Sequence, residues 1–121
     1  METRTDDTVE KRRFQRVESG LPLRYKNLKA DTVPMGSLTE NISEGGIHFK
    51  TNEFISLACR LVVEITLPTT PRPVKAISKV AWIRKLSSGE QYELGNQFLE
   101  ISKEDRDIIT DYVNRLSGSD H

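Results

Sequence analysis

The amino-acid sequence predicts a mainly β protein, a small antiparallel six-stranded split β-barrel with one C-terminal α-helix. Three observations support this prediction. The chain has 121 residues, apolar and polar residues alternate through most of it, and a helical period of apolar residues occurs near its end. A chain of this length is typical of one domain, since domains have on the order of 100–150 residues. Closure into a barrel would remove the exposed strand edges of a small sheet.

The predicted strands are the segments in which apolar residues recur at every second position. In the last strand, Phe98 and Leu99 face opposite ways although both are apolar, which predicts a bulge. We place Trp82 on the same face as Val80 and interpret it as a residue of the core or the barrel rim. A stacking surface for a base is the less favoured interpretation of Trp82. The six segments are 21–25, 37–42, 46–50, 60–67, 74–85 and 92–101.

The helix is predicted from its cap and its apolar face. Ser102 is the expected N-cap, and Asp105 lies three residues later, close to a capping box. The residues that share the apolar face are Ile108, Ile109, Tyr112, Val113 and Leu116. The domain is expected to span residues 11–116, between a flexible tail at 1–10 and a disordered tail at 117–121.

Composition and motifs exclude several classes of protein. No apolar run approaches the ~20 residues of a membrane span, and the polar N-terminus is unlike a secretory signal, so we expect a cytoplasmic protein. With one cysteine and two histidines, an intrachain disulfide or a metal centre is not expected. No phosphate-binding glycine loop of the Walker or dinucleotide type is present.

The two residues best suited to catalysis have structural interpretations. His48 lies in an alternating strand, and we interpret it as a solvent-facing structural histidine rather than a general base. Cys59 has no basic residue before Arg60 and is interpreted as a half-buried, inert thiol. The sequence therefore predicts a protein that is not an enzyme.

The charge of the chain is balanced overall and uneven locally. Its formal net charge is zero, yet residues 10–29 carry seven basic and two acidic side chains. A local basic cluster on a neutral protein favours a localised anionic partner. It argues against long nucleic acid, whose partners are usually basic overall.

Two short motifs carry side chains suited to such a ligand. Arg12 and Arg16 lie four residues apart, and guanidinium groups bind phosphate oxygens and the O6/N7 edge of guanine. Asn41 and Ser43 share one face of a strand end, and Gly46 permits a close approach of ligand or backbone. Taken singly, the first motif also fits a solvated basic run, and the second fits an ordinary polar turn.

Taken together and in this order, the two motifs resemble those of the PilZ domain family. The segment from Arg12 to Arg16 matches RxxxR, and the segment from Asn41 to Gly46 matches [D/N]xSxxG. Residues 80–84 and 94–99 are similar to the family's later strands, and the resemblance extends over about residues 10–116. PilZ domains are bacterial β-barrel receptors for the second messenger cyclic di-GMP.

The resemblance implies a role for each motif residue. Arg12 and Arg16 would hold the phosphates and guanine of cyclic di-GMP from the N-terminal segment. The barrel would hold a guanine and its sugar-phosphate through Asn41, Ser43 and Gly46. The two flanking residues, Lys11 and Arg13, would add positive charge or contact a second, stacked ligand molecule. The resemblance is compatible with one ligand molecule per chain and with an intercalated pair.

The resemblance also implies signalling through a partner. Binding would order residues 8–18 and change the surface offered to a downstream protein, and the receptor would be a monomer or a weak dimer. One alternative is a ligand-independent PilZ-like protein-interaction module. A barrel for single-stranded nucleic acid is the other alternative, disfavoured because aromatic residues are only 7% of the chain and do not interleave with the basic ones.

Overall fold

The computed structural model describes residues 16–29, 33–87 and 89–117. The tail expected at residues 1–10 and the end of the chain from residue 118 lie outside the described residues, whereas Ser117 is the last residue of the helix. The described elements are β1 (Val17–Glu18), β2 (Pro22–Asn27), β3 (Met35–Ser43), β4 (Gly46–Thr51), β5 (Arg60–Ile65), β6 (Val74–Lys85), β7 (Tyr92–Ile101) and α1 (Lys103–Ser117).

The strands form one antiparallel sheet that closes on itself. Six of them follow one another in the order β3-β2-β5-β6-β7-β4, and β4 then pairs with β3 to complete the ring. The short β1 pairs with the end of β3, on the edge that β2 occupies further along. The predicted six-stranded barrel with a C-terminal helix is therefore confirmed.

The interior of the barrel is filled by the apolar positions of the alternating pattern. In β5, Leu61, Val63 and Ile65 are fully buried, whereas their neighbours lie outside. The rings of Tyr25 and Phe49 pack 4.9 Å apart, which joins β2 to β4 across the core. Burial of such side chains contributes about 1.5–3 kcal/mol each to folding.

Helix α1 begins as the sequence predicts, and most of its predicted apolar face packs on the barrel, whereas Leu116 is 51% exposed. The backbone N–H of Asp105 donates to the Ser102 hydroxyl at 3.0 Å, so Ser102 is the N-cap. Ile109, Tyr112 and Val113 are buried against the barrel. The helix thereby covers apolar surface that the strands leave open.

A buried carboxylate fixes the start of this helix to the sheet. The side chain of Asp105 accepts a hydrogen bond from Arg72 at 2.8 Å and another from the backbone N–H of Lys75 at 3.1 Å. Asp105 is 5% exposed, so both contacts are largely shielded from water at the carboxylate end. The proximity of Asp105 raises the pKa of Arg72.

Replacing this carboxylate tests its role in stability. Asp105→Ala is expected to lower the free energy of unfolding by about 1–3 kcal/mol, because the Lys75 N–H and the Arg72 guanidinium lose the acceptor that they share. Asp105→Asn keeps an acceptor oxygen, so its free energy of unfolding should fall by less. Urea unfolding followed by circular dichroism measures both variants. An Asp105→Ala protein as stable as the wild type would contradict this account.

Two bulges between β6 and β7 change which side chains face outward. Ala81 is skipped in the register, because Val80 pairs with Asn96 and Trp82 pairs with Gly95. Leu99 is skipped in the same way, which matches the predicted bulge. The expectation that Trp82 shares the face of Val80 is wrong, because the bulge at Ala81 reverses the alternation and turns Trp82 to the outer surface.

Candidate functional site

The second motif forms the tight turn between β3 and β4. Ser43 is buried, and its hydroxyl accepts a hydrogen bond from the Gly45 N–H at 3.1 Å. The N–H of Phe98 donates to the Gly45 carbonyl at 2.9 Å, which ties the turn to β7. Ser43 therefore shapes the turn that borders the site.

Gly46 is required for the close approach of β4 to β7. A Cβ atom at this position would overlap the carbonyl oxygen of Asn96 and lie 3.2 Å from the Cα atom of Gln97. The expected close approach at Gly46 is therefore one of backbone to backbone. Only glycine fits here without displacement of one of the two strands.

The chain that carries Arg16 is fixed to β3 by a buried hydroxyl. Thr39 is 1% exposed, and its Oγ1 accepts a hydrogen bond from the Leu21 N–H at 3.0 Å. The Ser19 hydroxyl lies 2.6 Å from the same atom. These contacts hold the bend between β1 and β2, and β1 then runs beside Asn41 and Ile42 of β3.

Three polar side chains meet at this end of β3. Arg16 Nη1 donates to Asn41 Oδ1 at 3.2 Å and also contacts His48 Nε2. Asn41 Nδ2 lies 3.2 Å from His48 Nδ1. A neutral imidazole has one acceptor nitrogen, so only one of its two contacts with these donors is a hydrogen bond at a time. The cluster has more donors than acceptors, which suits a ligand rich in acceptor atoms.

The protonation of His48 follows from these surroundings. Burial is the main cause that lowers the pKa of His48, and the positive charge of Arg16 lowers it further, while Glu93 acts in the opposite sense. The prediction that His48 points away from Ile47 and Phe49 is confirmed, but its ring is half-buried and contacts Arg16 and Asn41 instead of facing solvent freely.

We expect this pKa to make stability depend on pH. The unfolded chain binds the His48 proton near pH 6.5, and the folded chain binds it at lower pH, so unfolding free energy should fall as pH drops through this window. His48→Gln should remove that part of the dependence. Urea unfolding of both proteins between pH 5 and pH 8 measures the difference, because other titrating groups are shared. Parallel pH profiles would contradict the expectation.

A groove of about 400 Å³ lies beside the cluster on the outer surface of the barrel. Its walls are the β3–β4 turn, Arg16, His48, Ala81 and Trp82, with residues 95–97 beneath. A larger concavity of about 510 Å³ lies at the loops around residues 27–29 and 58–60. It borders Cys59, whose thiol pKa is raised by burial, as expected for an inert thiol. We assign the site by its donor-rich chemistry rather than by volume.

The structure brings together the motif residues that it describes. Arg16 and Asn41 are in direct contact, and Ser43 and Gly46 border the same groove. Sequence reasoning did not assign His48 or Trp82 to the site. The signal for His48 was its place opposite Asn41 in a predicted hairpin. The other predicted ligand residues lie outside the described residues: Lys11, Arg12 and Arg13.

The fold and this groove together define a small closed β-barrel with a groove beside Arg16 on its outer surface, next to a cluster of hydrogen-bond donors. The family model for the PilZ domain matches residues 10–115. The chain belongs to the PilZ domain family.

Several solved structures share the fold at low sequence identity. The inhibitor of motility MotI/DgrA of Bacillus subtilis is 20% identical with a TM-score of 0.74, and the match covers 85% of this chain and 49% of that protein. The PilZ domain of YcgR from Escherichia coli, solved with c-di-GMP, is 16% identical with a TM-score of 0.67. That match covers 89% of this chain and 92% of the domain.

A third structure adds a further similarity. The MrkH–c-di-GMP complex of K. pneumonia is 16% identical, with a TM-score of 0.65, over 86% of this chain and 51% of MrkH. The chain thus spans about half the length of MotI and MrkH. No curated protein sequence matched this chain. Within the described residues, the structure contains no helix with the length and apolar character needed to cross a membrane.

Proposed function

We propose that this chain is a receptor that binds cyclic di-GMP in the groove beside Arg16. The observation that carries the proposal is the contact of Arg16 with Asn41, which joins the two sequence motifs although they lie 25 residues apart. Support also comes from the family, and from similar folds in YcgR and MrkH that were solved with c-di-GMP.

The chemistry of the cluster suits this ligand. Cyclic di-GMP carries two phosphate charges and two guanines, which offer many acceptor atoms. The Arg16 guanidinium and the Asn41 amide are donors for phosphate oxygens or for the guanine O6/N7 edge. We propose that Arg12 acts with Arg16 on the same ligand. Lys11 and Arg13 would add positive charge beside them, or contact a second ligand molecule.

The proposal extends to signalling without catalysis. A ligand that bridges Arg16 to the barrel would strengthen the attachment of β1 to β3 and change the surface around the groove. We propose that a downstream protein partner in the cytoplasm recognises the changed surface. A receptor of this kind performs no reaction on the nucleotide, so prolonged incubation should return cyclic di-GMP unaltered.

Isothermal titration with cyclic di-GMP tests the proposal, with GMP and cyclic di-AMP as controls. We expect selective binding of cyclic di-GMP, with a stoichiometry that distinguishes one ligand molecule per chain from two. Ligand that binds the folded state should also raise the melting temperature. No heat of binding and no thermal shift would refute the receptor function.

A ligand-independent interaction module is the second candidate function. Apolar side chains exposed at another concavity, of about 290 Å³, favour it: Val33 is 76%, Met35 48% and Phe54 61% exposed. Exposed apolar clusters are typical of protein-binding surfaces. The thermal shift with cyclic di-GMP separates the two functions, because a module of this kind would show none.

A further inference from the structure

β1 and β2 pair with β3 in registers that differ by one residue. Glu18 of β1 pairs with Asn41 and Pro22 of β2 pairs with Leu38, so three residues lie opposite only two residues of β3. The chain between β1 and β2 therefore carries one extra residue, which is the geometry of a β-bulge. This bulge separates Arg16 from the regular part of the barrel.

A second bulge lies in β3 at the same level of the barrel. Glu40 is skipped in the register of β3 with β4, between the pairs that Thr39 and Asn41 make. Thr39 and Ile42 are both buried, which regular alternation would not allow for two residues three apart. The bulge therefore turns Asn41 to the outer surface, where it contacts Arg16.

The Thr39 hydroxyl joins the two bulges. Its oxygen accepts a hydrogen bond from the Leu21 N–H at 3.0 Å, while the Thr39 N–H donates to the Leu21 carbonyl at 2.9 Å. In a regular antiparallel pair both bonds would be between backbone groups, so here the hydroxyl takes the place of a backbone acceptor. The Ser19 hydroxyl lies 2.6 Å from the same oxygen, and the Ser19 N–H donates to the Glu40 carbonyl at 3.1 Å.

The core fixes the β3 side of this arrangement more firmly than the β1 side. Ile42, next to Asn41 in the chain, is fully buried. β1 has two residues, and its Val17 is only partly buried against the core. The place of Arg16 relative to Asn41 therefore depends on how the chain leaves β2, which is where the Thr39 hydroxyl acts.

We infer that Thr39, together with Ser19, is a positioning residue that holds Arg16 beside Asn41 for the ligand. This inference rests on the proposed function, because it concerns the same site. Thr39 lies inside the barrel and would act through Arg16 rather than by contact with the ligand. An arginine that is already in place loses less conformational freedom on binding, so its contribution to affinity is larger.

Two substitutions at Thr39 test the role of its hydroxyl. Thr39→Val removes the hydroxyl and nearly keeps the size of the side chain, and we expect it to weaken cyclic di-GMP binding about tenfold, or about 1.4 kcal/mol. Thr39→Ser keeps the hydroxyl and should bind within a factor of about two of the wild type. Calorimetry well below the melting temperature of each variant measures the affinities.

Thr51→Val is the matched control for a general loss of stability. Thr51 is 5% exposed, its Oγ1 lies 2.6 Å from the Tyr25 hydroxyl, and it borders a different concavity. Its substitution removes a buried hydrogen bond of the same kind, so the melting temperature should fall as it does for Thr39→Val. The affinity should stay that of the wild type. An equal loss of affinity in both variants would overturn the positioning role.

A double-mutant cycle shows whether Thr39 acts through Arg16. In a protein that already carries Arg16→Ala, Thr39→Val should weaken binding by at most about twofold, because no arginine is left to position. Independent residues would instead give the same factor in both backgrounds. A loss of about tenfold in the presence and in the absence of Arg16 would therefore contradict the inference.

The outcomes separate this inference from the proposed function. Absence of calorimetric binding in the wild type would refute the receptor function. Equal affinity of the wild type and Thr39→Val would overturn the positioning role and leave the receptor function intact. If Thr39→Val does not fold, Ser19→Ala replaces it, with an expected loss of about threefold. Unchanged affinity in Ser19→Ala would then overturn the positioning role.

Discussion

Arg16→Ala is expected to weaken cyclic di-GMP binding at least tenfold, about 1.4 kcal/mol. Arg16 is exposed and donates toward both Asn41 and His48, so it is the described cation nearest to the centre of the cluster. Charge-assisted hydrogen bonds to an anionic ligand are about twice as strong as neutral ones. Calorimetry of the variant and the wild type at the same ionic strength measures the change.

The control for this variant is Arg24→Ala. Arg24 belongs to the same basic segment and is exposed on β2, where it lines a different concavity. Its removal changes the net charge equally and should leave the affinity within a factor of about two, given that exposed charges act weakly through screened solvent. Equal losses of affinity in both variants would show that binding depends on overall charge, which would contradict the role assigned to Arg16.

Gly46→Ala is expected to lower the free energy of unfolding by about 1–3 kcal/mol, as overpacking does in well-packed interiors. The added methyl group would meet the Asn96 carbonyl, which belongs to the backbone of β7 and has no rotamer to change. Relief requires separation of β4 from β7 at the edge of the groove. We therefore also expect weaker binding of cyclic di-GMP in any variant protein that folds.

Gly36→Ala is the matched control, because it makes the same change in a neighbouring strand without the clash. The nearest atom to a Cβ on Gly36 would be the Leu23 carbonyl oxygen, 4.0 Å away, which is an ordinary contact. Its stability should change little or rise by about 0.5 kcal/mol, since alanine restricts the unfolded chain. Urea unfolding followed by circular dichroism compares the two, and similar losses would contradict a steric role for Gly46.

Most of the barrel could be predicted from the sequence because burial alternates along each strand. The β5 segment shows this well, since Leu61, Val63 and Ile65 are buried and the residues between them lie outside. The helix was predictable because its cap and its apolar face are local features. The two-residue β1 was not, because a pair of residues carries no period and its place depends on Thr39 in another strand.

The site was predictable only where a short motif carries it. Arg16, Asn41 and Gly46 all stand out by spacing, and the resemblance joins the two motifs into one site. His48 and Trp82 depend instead on contacts between strands that are distant in the sequence. The bulge at Ala81 arises from the pairing of β6 with β7, so a count of alternating residues along β6 alone places Trp82 on the wrong face.

The pairing of β1 with β3 has a consequence for the strand edge that it covers. Opposite Val17 and Glu18, β3 is paired on its other edge with β4, so β1 is what completes its backbone hydrogen bonding there. Detachment of β1 would leave a short open strand edge at Asn41 and Ile42, and such edges accept an extended peptide by β-augmentation. A peptide added at this edge would compete with β1 for the same backbone groups. Under the proposed function, a ligand that holds Arg16 in place would favour β1.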